Sequence, residues 1–253
     1  MEKWIYLQLK LCCISFLILK TASAQTVSAD TGVYPAALSK ANAVYAIAIG
    51  TQLPLNNGPE YYFYNPLEIR GSAYFMELPF TNGDVYYDGA EYRGVQLLYD
   101  LYKDEVAALL YDHFNKYVLI KSRVSNFDLT GHHFVNISTD SLPANTVLKG
   151  GYYDELYHGR TQVVSKRYKV IQNYQSNGGI MEAYNFFTDT KEDFYIRKGG
   201  VYYPISGQGA LLDVFKDHKK ELRQYIKLNK LKFGRDPHGF LASIAAYYDR
   251  ITN

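Results

Sequence analysis

Short runs of aromatic and β-branched residues, separated by glycine and asparagine turns, extend from Asn57 to Gly209 of this chain. In a strand, alternate side chains point to opposite faces, so runs of this length and composition indicate strands. Asn82-Gly83 and Asp88-Gly89 separate such runs and accept the positive φ angles that tight hairpins require. The pattern therefore predicts an antiparallel sheet in which most connections are hairpins.

The boundaries of the predicted elements follow from the turn residues and from the change to helical periodicity after Gly209. Strands are predicted over 61–64, 72–77, 84–87, 92–99, 106–111, 117–121, 134–137, 151–157, 161–171, 181–187, 194–197 and 201–205. Helices are predicted over 35–50, 210–215, 217–230 and 236–251. Asp236 suits the N-cap of the last helix and Pro237 its first position.

These elements predict an α+β fold. The expected architecture is mainly antiparallel β-sheet, a curved sheet or partial barrel, with a short N-terminal helix and C-terminal helices packed on it. No linker rich in Pro, Ser or Gly separates the sheet region from the last helices. Residues 25–253 are therefore predicted to be a single β-rich domain whose C-terminal helical segment covers about 210–251.

Residues 1–24 have the features of a secretory signal peptide. Lys3 and Lys10 precede an apolar run over 11–19, and the small residues Ala22-Ser23-Ala24 suit a cleavage site. The run is too short to cross a bilayer, so no transmembrane span is predicted for the mature chain. We expect cleavage before Gln25 and a periplasmic or secreted protein.

Removal of this segment changes the charge and the cysteine content. The whole chain has 27 basic and 25 acidic residues, and the segment carries three lysines and one glutamate, which leaves 24 of each. Cys12 and Cys13 also leave, so the mature chain has no disulfide, thiolate metal site or cysteine nucleophile. A neutral chain without a basic groove in its sheet region predicts no nucleic-acid partner.

Tyrosine is the most unusual part of the composition, with 26 residues in the chain. Four glycine turns are followed by the pairs Tyr61-Tyr62, Tyr86-Tyr87, Tyr152-Tyr153 and Tyr202-Tyr203. Their uneven spacing excludes a repeat array with one period. Because neighbours in a strand face opposite sides, one ring of each pair is expected to face outward and to bind sugar rings or peptide. The candidate binding tyrosines are Tyr86, Tyr87, Tyr152, Tyr153, Tyr202 and Tyr203. The alternative is that tyrosine is simply a favourable strand residue.

The C-terminal region is locally basic, with eight Lys or Arg and four Asp or Glu between Asp213 and Asp236. At helical spacing, five of the cations share one stripe: Lys216, Lys220, Arg223, Lys227 and Lys230. Lys220, Arg223 and Lys227 are candidate contacts to an anionic membrane surface or an acidic partner. The alternative is a solvated helix face.

Acidic and histidine residues give no assembled catalytic or metal-binding motif. Glu155 and His158 are three residues apart, a spacing at which the two side chains of a strand point to opposite faces. His132 and His133 diverge for the same reason. No nucleophile elbow, zincin helix or phosphate loop occurs in the mature chain, so no catalytic residue, metal or cofactor is assigned.

A hydrolase remains an alternative hypothesis. Its acids and bases would come from Asp100, Asp104, Asp154, Glu155 and His158, although spacing across a hairpin does not establish the separation that a carboxylate pair requires.

Four runs of this sequence are similar to those of other proteins: 86–89 (YYDG), 98–104 (LYDLYKD), 151–157 (GYYDELY) and 219–222 (KKEL). With these runs, most of the mature chain resembles an uncharacterised family of exported proteins from Gram-negative bacteria. This resemblance implies a signal peptide, a β-rich body and a helical C-terminus, and it carries no established activity.

Three functional hypotheses follow. The first is an exported non-catalytic envelope or secreted protein that binds a protein, lipid or glycan through a Tyr-rich sheet face. The second is a hydrolase acting on envelope glycan or peptide. The third is a structural adaptor that docks through its basic C-terminal helix.

Overall fold

The computed structural model describes residues 33–49, 54–77, 80–110, 114–138, 140, 142, 146–176 and 183–252. The chain divides into two compact units, Met1–Asn42 and Ala43–Asn253. Helix α1 (Val33–Ile49) includes residues of both units and confirms the helix predicted over 35–50. The predicted signal peptide, residues 1–24, lies outside the described residues.

The second unit is built on two sheets. Its described strands are β1 (Ile69–Arg70), β2 (Thr81–Tyr87), β3 (Ala90–Asp100), β4 (Glu105–Leu109), β5 (Lys116–Val118), β6 (Val124–Leu129), β7 (His132–Ile137), β8 (Gly151–His158), β9 (Gln162–Tyr168), β10 (Ile171–Gln175), β11 (Ala183–Phe187), β12 (Lys191–Lys198) and β13 (Val201–Ile205). Ten form an open antiparallel sheet in the order β13-β12-β9-β8-β7-β6-β2-β3-β4-β5. The other three form a small sheet, β1-β11-β10, in which β1 and β11 are parallel.

Some predicted strands differ from the observed ones. Residues 61–64 and 72–77 are not strands, and near them only the isolated bridges Glu60–Tyr117 and Tyr74–Asp100 occur. These segments instead cover the sheet, and Tyr61 is buried against Leu98. Strand β6 was not predicted, because polar residues interrupt its apolar ones. The strand predicted over 161–171 is β9, which ends at Tyr168, and β10, of which only the first residue lies in that range, belongs to the other sheet.

One face of the ten-stranded sheet carries the larger part of the core. Buried residues from β2, β3, β4, β6, β7 and β8 form one cluster on this face. Aromatic rings dominate it: Phe127 stacks on Phe134 with ring centroids 4.7 Å apart, and Tyr99 meets both rings edge-on. Edge-on and offset rings of this kind add to the stabilisation that burial provides.

Three helices cover the other end of this face. They are α2 (Gln208–Val214), α3 (Lys219–Leu228) and α4 (Pro237–Ile251), which confirm the helices predicted over 210–215, 217–230 and 236–251. Their apolar sides pack on Val163 of β9 and on Ile196 of β12. The fold is therefore α+β, with a mainly antiparallel sheet and C-terminal helices packed on it, as predicted.

Two aspartates fix helix α4. Asp236 caps its N-terminus by accepting a hydrogen bond from the Gly239 backbone N–H at 2.9 Å. Near its other end, buried Asp249 accepts hydrogen bonds from the backbone N–H and the hydroxyl of Thr161, both at 3.0 Å. The helix is thus joined to the β8–β9 turn.

Among the described residues, no helix has the length and apolar character needed to cross a membrane.

Candidate functional site

The four tyrosine pairs do not present one ring each to solvent. In three pairs the prediction holds, because Tyr61, Tyr87 and Tyr202 are buried while Tyr62, Tyr86 and Tyr203 are exposed. Tyr152 and Tyr153 are both buried, and for this pair the prediction is wrong. Tyr152 faces the main aromatic cluster, whereas Tyr153 faces a second cluster with Leu148 on the opposite side of the sheet. A strand covered on both faces has no outward side.

The exposed rings of the paired tyrosines also do not share a face of the ten-stranded sheet. Tyr86 opposes Asn126, and the cross-strand pairs continue to Tyr153, which shares its face with Val164. Tyr203 instead opposes Ile196, on the face that the helices cover. Of the six tyrosines predicted to bind a partner, four are buried: Tyr87, Tyr152, Tyr153 and Tyr202. The paired tyrosines therefore do not form one shared Tyr-rich face on this sheet.

An aromatic surface does occur on the small sheet. The Arg70 guanidinium carbon lies 3.6 Å from the ring centroid of Tyr184, and the rings of Tyr184 and Tyr174 are stacked with centroids 4.9 Å apart. We call these three residues the aromatic stack. Tyr174 is 44% exposed. No tyrosine pair marks this site in the sequence, because Tyr174 and Tyr184 are single residues on two strands and residues 172–175 were not predicted to be a strand.

Asp100, the first of the predicted hydrolase carboxylates, is fully engaged. It accepts hydrogen bonds from the hydroxyls of Tyr61 and Tyr64, both at 2.8 Å. Its other oxygen accepts from the backbone N–H groups of Tyr102 and Lys103, both at 2.9 Å. The side chain is buried, so it anchors the β3–β4 turn and the covering segment around Tyr61.

Asp104 is held between two lysines. Its carboxylate lies 3.0 Å from Lys121 Nζ and 2.6 Å from Lys166 Nζ, and it accepts a hydrogen bond from the Tyr99 hydroxyl at 2.8 Å. Burial by itself raises the pKa of Asp104, but the two ammonium groups outweigh it and the pKa is lowered. Burial lowers the pKa of Lys166, although Asp104 opposes this. The group ties the β3–β4 turn to β9.

Glu155 and His158 are neighbours, contrary to the prediction that they point to opposite faces. The pairing of β8 with β9 shifts by one residue between Glu155 and Tyr157. Such a bulge puts one extra residue into the strand, so residues three apart can share a face. His158 Nδ1 lies 2.9 Å from Glu155 Oε1, and Gln162 also donates to that oxygen.

Asp154 belongs to a larger row of charges on the helix-covered face. The row consists of His132, Asp154, Arg167, Glu192 and His238, and we call it the charged row. Asp154 Oδ2 lies 2.7 Å from His132 Nδ1 and 2.9 Å from Arg167 Nη2. Arg167 Nε donates to Glu192 Oε1 at 2.9 Å, and both oxygens of Glu192 lie 2.9 Å from His238 Nε2.

The electrostatics of the charged row centre on Glu192. Burial alone raises the pKa of Glu192, but hydrogen bonds with His238 and Ser165 and the charge of Arg167 together lower it to about 2. The hydrogen bond to Glu192 raises the pKa of His238, against the opposing effect of burial. Since His238 is the second residue of α4, the row connects this helix to β12.

The charged row does not contain an activated nucleophile. The hydroxyl of Ser165, the one that hydrogen-bonds to the row among the residues that the structure describes, is buried and donates to Glu192 at 2.7 Å. A serine nucleophile needs an adjacent base that accepts its proton and an accessible oxygen. A carboxylate of such low pKa is a weak base, so the arrangement stabilises the fold and is poorly suited to acyl transfer.

The predicted acids do not converge. Within the described part of the chain, Asp100, Asp104, Asp154 and Glu155 have no hydrogen-bonding or ion-pairing partner in common. The described residues also contain no group of three or more His, Cys, Asp or Glu placed to hold a metal ion. The carboxylates therefore act as separate anchors at different turns and strands.

The predicted basic stripe is present and accessible. It lies on α3 and the turns that flank it, and all five side chains are exposed: Lys216, Lys220, Arg223, Lys227 and Lys230. We call it the basic face. Leu222 and Ile226, which lie about a quarter turn around α3 from this stripe, are buried. None of the five cations has an ion pair within 4 Å to a carboxylate of the described residues.

Two nearby lysines, unlike the five cations of the basic face, form ion pairs. Lys219 Nζ lies 2.7 Å from Asp213, and Lys198 Nζ lies 2.8 Å from Asp217. The hydrogen bond from Lys219 lowers the pKa of Asp213, and the charge of Arg223 lowers it further without forming an ion pair.

No family model, curated protein or solved structure matches this chain. The resemblance to exported proteins of Gram-negative bacteria stays a prediction.

Proposed function

We propose that this chain is an exported, non-catalytic binding protein of the cell envelope or the medium that docks on an anionic partner through the basic face. The observation that carries the proposal is the stripe of five exposed cations on α3 and its flanking turns, none of which forms an ion pair with a carboxylate of the described residues. Such a surface attracts anionic partners over roughly a Debye length, about 8 Å at physiological ionic strength.

The charge distribution of the chain supports this proposal. After removal of residues 1–24 the totals of basic and acidic residues are equal, so the local excess around α3 is balanced elsewhere. A neutral protein with separated charges is oriented by an anionic surface, and binding is then restricted to one side of the molecule.

The anchoring of α3 makes the proposal testable by substitution. Because Leu222 and Ile226 hold the helix in the core, changes on its exposed side leave the packing intact. The test variant is Lys220→Glu/Arg223→Glu/Lys227→Glu. The matched control, Lys149→Glu/Lys191→Glu/Arg197→Glu, changes two lysines and one arginine that are exposed outside the C-terminal helices.

The binding assay uses three immobilised probes: phosphatidylglycerol vesicles, poly-glutamate and a sulfated polysaccharide. We expect the unchanged protein and the control to bind at least one probe, and the test variant to lose that binding. Equal loss in the control variant, or no binding of the unchanged protein to any probe, contradicts the proposal.

The aromatic stack favours a second candidate function, glycan binding. Sugar rings stack on exposed aromatic faces, and the exposed amide side chain of Gln172 lies two residues from Tyr174 on the same face of the strand. Titration with envelope glycans should give a calorimetric signal that Tyr174→Ala abolishes. Tyr86→Ala, which removes an exposed tyrosine of the larger sheet, should leave the signal unchanged. Equal effects of the two substitutions would exclude this site.

A further inference from the structure

Strand β10 forms one edge of the small sheet. It pairs with β11 on one side, and no described strand lies on its other side. Its last four residues are exposed: Gln172, Asn173, Tyr174 and Gln175. The strand contains no charged residue and no proline, which are the residues that commonly protect an exposed edge from further pairing. The edge of β10 is therefore open to another strand.

The other edges of the two sheets are blocked or short. Strand β13 contains Pro204, which has no backbone N–H to donate. Strand β5 is paired with the covering segment, since the backbone N–H of Tyr61 donates to the carbonyl of Lys116 at 2.8 Å. Strand β1 has only two residues. Among the described strands, β10 is therefore the edge best suited to pairing with another chain.

The backbone groups that face the open edge follow from the pairing of β10 with β11. The backbone N–H of Thr188 donates to the carbonyl of Val170 at 3.0 Å, one step beyond the pair Ile171–Phe187. Hydrogen-bonded pairs alternate along an antiparallel ladder, so the next residues of β10 that bond to β11 are residues 172 and 174. The backbone N–H and C=O groups of residues 171, 173 and 175 therefore point toward the open edge.

The side chains of β10 favour an identical strand as the occupant of this edge. Asn173 Nδ2 donates to Asn185 Oδ1 on β11 at 3.2 Å, which starts a row of amides across the sheet. An amide donates and accepts at once, so Asn173 of a second copy can extend the row. Domains that bind foreign peptides as added strands recognise them with pockets for alternate side chains. The side chains of β10 are instead exposed on both faces, and an uncharged strand meets no repulsion from its own copy.

We propose that two copies of this chain form a two-fold symmetric dimer through antiparallel pairing of β10 with β10 of the second copy. The two-fold axis passes beside Asn173, which faces its own counterpart, and Ile171 faces Gln175 of the second copy. These opposed residues form about six main-chain hydrogen bonds, two for each pair. The dimer uses a surface distinct from the basic face and goes beyond the proposed function.

The dimer places both aromatic stacks on one surface. In this register Tyr174 lies opposite Gln172 of the second copy, and the two copies of Tyr174 are diagonal neighbours. Opposed residues of an antiparallel pair point to the same face, so the two stacks share one face of a six-stranded sheet, three strands from each copy. The second copy thus contributes to the candidate glycan site, although the dimer does not depend on glycan binding.

The first experiment measures the oligomeric state of the mature protein, residues 25–253, by sedimentation velocity. A pair of five-residue strands buries less than the roughly 1,000 Å² that stable interfaces exceed, so we expect a dissociation constant on the order of 100 µM. The fraction of dimer should therefore rise between about 10 µM and about 1 mM. A monomer at every concentration in this range overturns the proposal.

Two substitutions of Asn173 test the edge itself. Asn173→Lys places two ammonium groups opposite each other, and Asn173→Pro removes an N–H that points away from β11, so each should weaken association at least about tenfold. The matched control is Asn82→Lys, which adds the same charge at an exposed residue of β2, a strand with neighbours on both sides. Circular dichroism checks that each variant is folded. If both Asn173 variants associate as strongly as the Asn82→Lys control, the proposal is overturned.

Disulfide formation tests the register and the identity of the occupant. Residues 25–253 contain no cysteine, so a single introduced cysteine can bridge only to its own counterpart. Asn173→Cys should form a covalent dimer on mild oxidation, because directly opposed Cα atoms lie about 5.5 Å apart, within the range of a disulfide. Gln175→Cys should not, because Gln175 lies roughly 13 Å along the strand from its counterpart. Equal rates of crosslinking in the two cysteine variants contradict the symmetric pairing of β10.

Discussion

Replacement of Glu192 by glutamine tests whether the charged row holds helix α4 on the sheet. The substitution keeps the size of the side chain but removes the negative charge that faces Arg167 and His238. Glutamine also cannot accept at both terminal atoms, so one contact of the His238 ring is lost. Arg167 keeps its ion pair with Asp154 at 2.9 Å, which limits the damage.

The expected magnitude follows from the pKa of Glu192, which falls from its ordinary 4.5 to about 2. A depression of this size corresponds to about 3 kcal/mol of the free energy of unfolding. The side chain is 22% exposed, so solvent screening makes this an upper value. Removal of one partner of a buried pair costs about 3–5 kcal/mol when the other charge is left alone, and here Arg167 is not alone. We therefore expect a loss of about 2–3 kcal/mol at neutral pH.

The pH dependence provides a sharper test than the magnitude. Glu192 has a lowered pKa, so its contribution is present above pH 4.5 and is lost as the pH falls toward 2. His238 has a raised pKa, so its contribution is present below its ordinary 6.5 and is lost as the pH rises through the raised value. The unchanged protein should therefore lose stability in both directions, and Glu192→Gln should lose less in each.

The assay is urea unfolding followed by far-UV circular dichroism at several pH values between about 3 and 9. The control is Glu91→Gln, which breaks the exposed pair with Arg93 and should change the free energy of unfolding little, because solvent screens such pairs. If Glu192→Gln changes the free energy of unfolding no more than Glu91→Gln, or shows the same pH profile as the unchanged protein, the assignment of these interactions to the charged row is refuted.

Three further predictions concern other parts of the chain. Gly151 has φ +145°, and a Cβ there would lie 2.2 Å from Asp104 Oδ2. Gly151→Ala should therefore lower the free energy of unfolding in urea by about 2–4 kcal/mol. The control Gly209→Ala, whose Cβ meets nothing within 4 Å, should not lower it. Asp236→Ala removes the cap of α4 and should lower the unfolding free energy by about 1 kcal/mol, measured in the same way; no change would argue against the cap. N-terminal sequencing of the protein after expression in a Gram-negative host should begin at Gln25, and recovery of an intact segment 1–24 would exclude cleavage.

The sequence predicts those parts of the fold that residues close together in the chain determine. Helix α4 is identified by its own cap and periodicity, and the hairpins by their turn residues. The position of the covering segment around Tyr61 depends on a distant residue, because the Tyr61 hydroxyl donates a hydrogen bond to Asp100, 39 residues further along the chain. A tyrosine-rich segment held in this way has the composition of a strand without its backbone pairing.

The candidate sites follow the same rule. The basic face lies on one helix and its flanking turns, so its spacing is visible in the sequence. The charged row draws on β7, β8, β9, β12 and α4, and His238 is 46 residues from Glu192. No short motif connects such residues. The burial of both Tyr152 and Tyr153 likewise depends on elements that cover opposite faces of β8.

The docking of α4 on β9 and β12 has a consequence for the order in which the chain folds. Ribosomes make α4 after every strand that it covers, so Val163 and Ile196 exist for a time without their apolar partners. During that interval Thr161 also lacks the carboxylate of Asp249. A nascent chain arrested before residue 237 should therefore expose an apolar sheet surface that chaperones recognise. This half of the sheet completes its folding only after synthesis of α4.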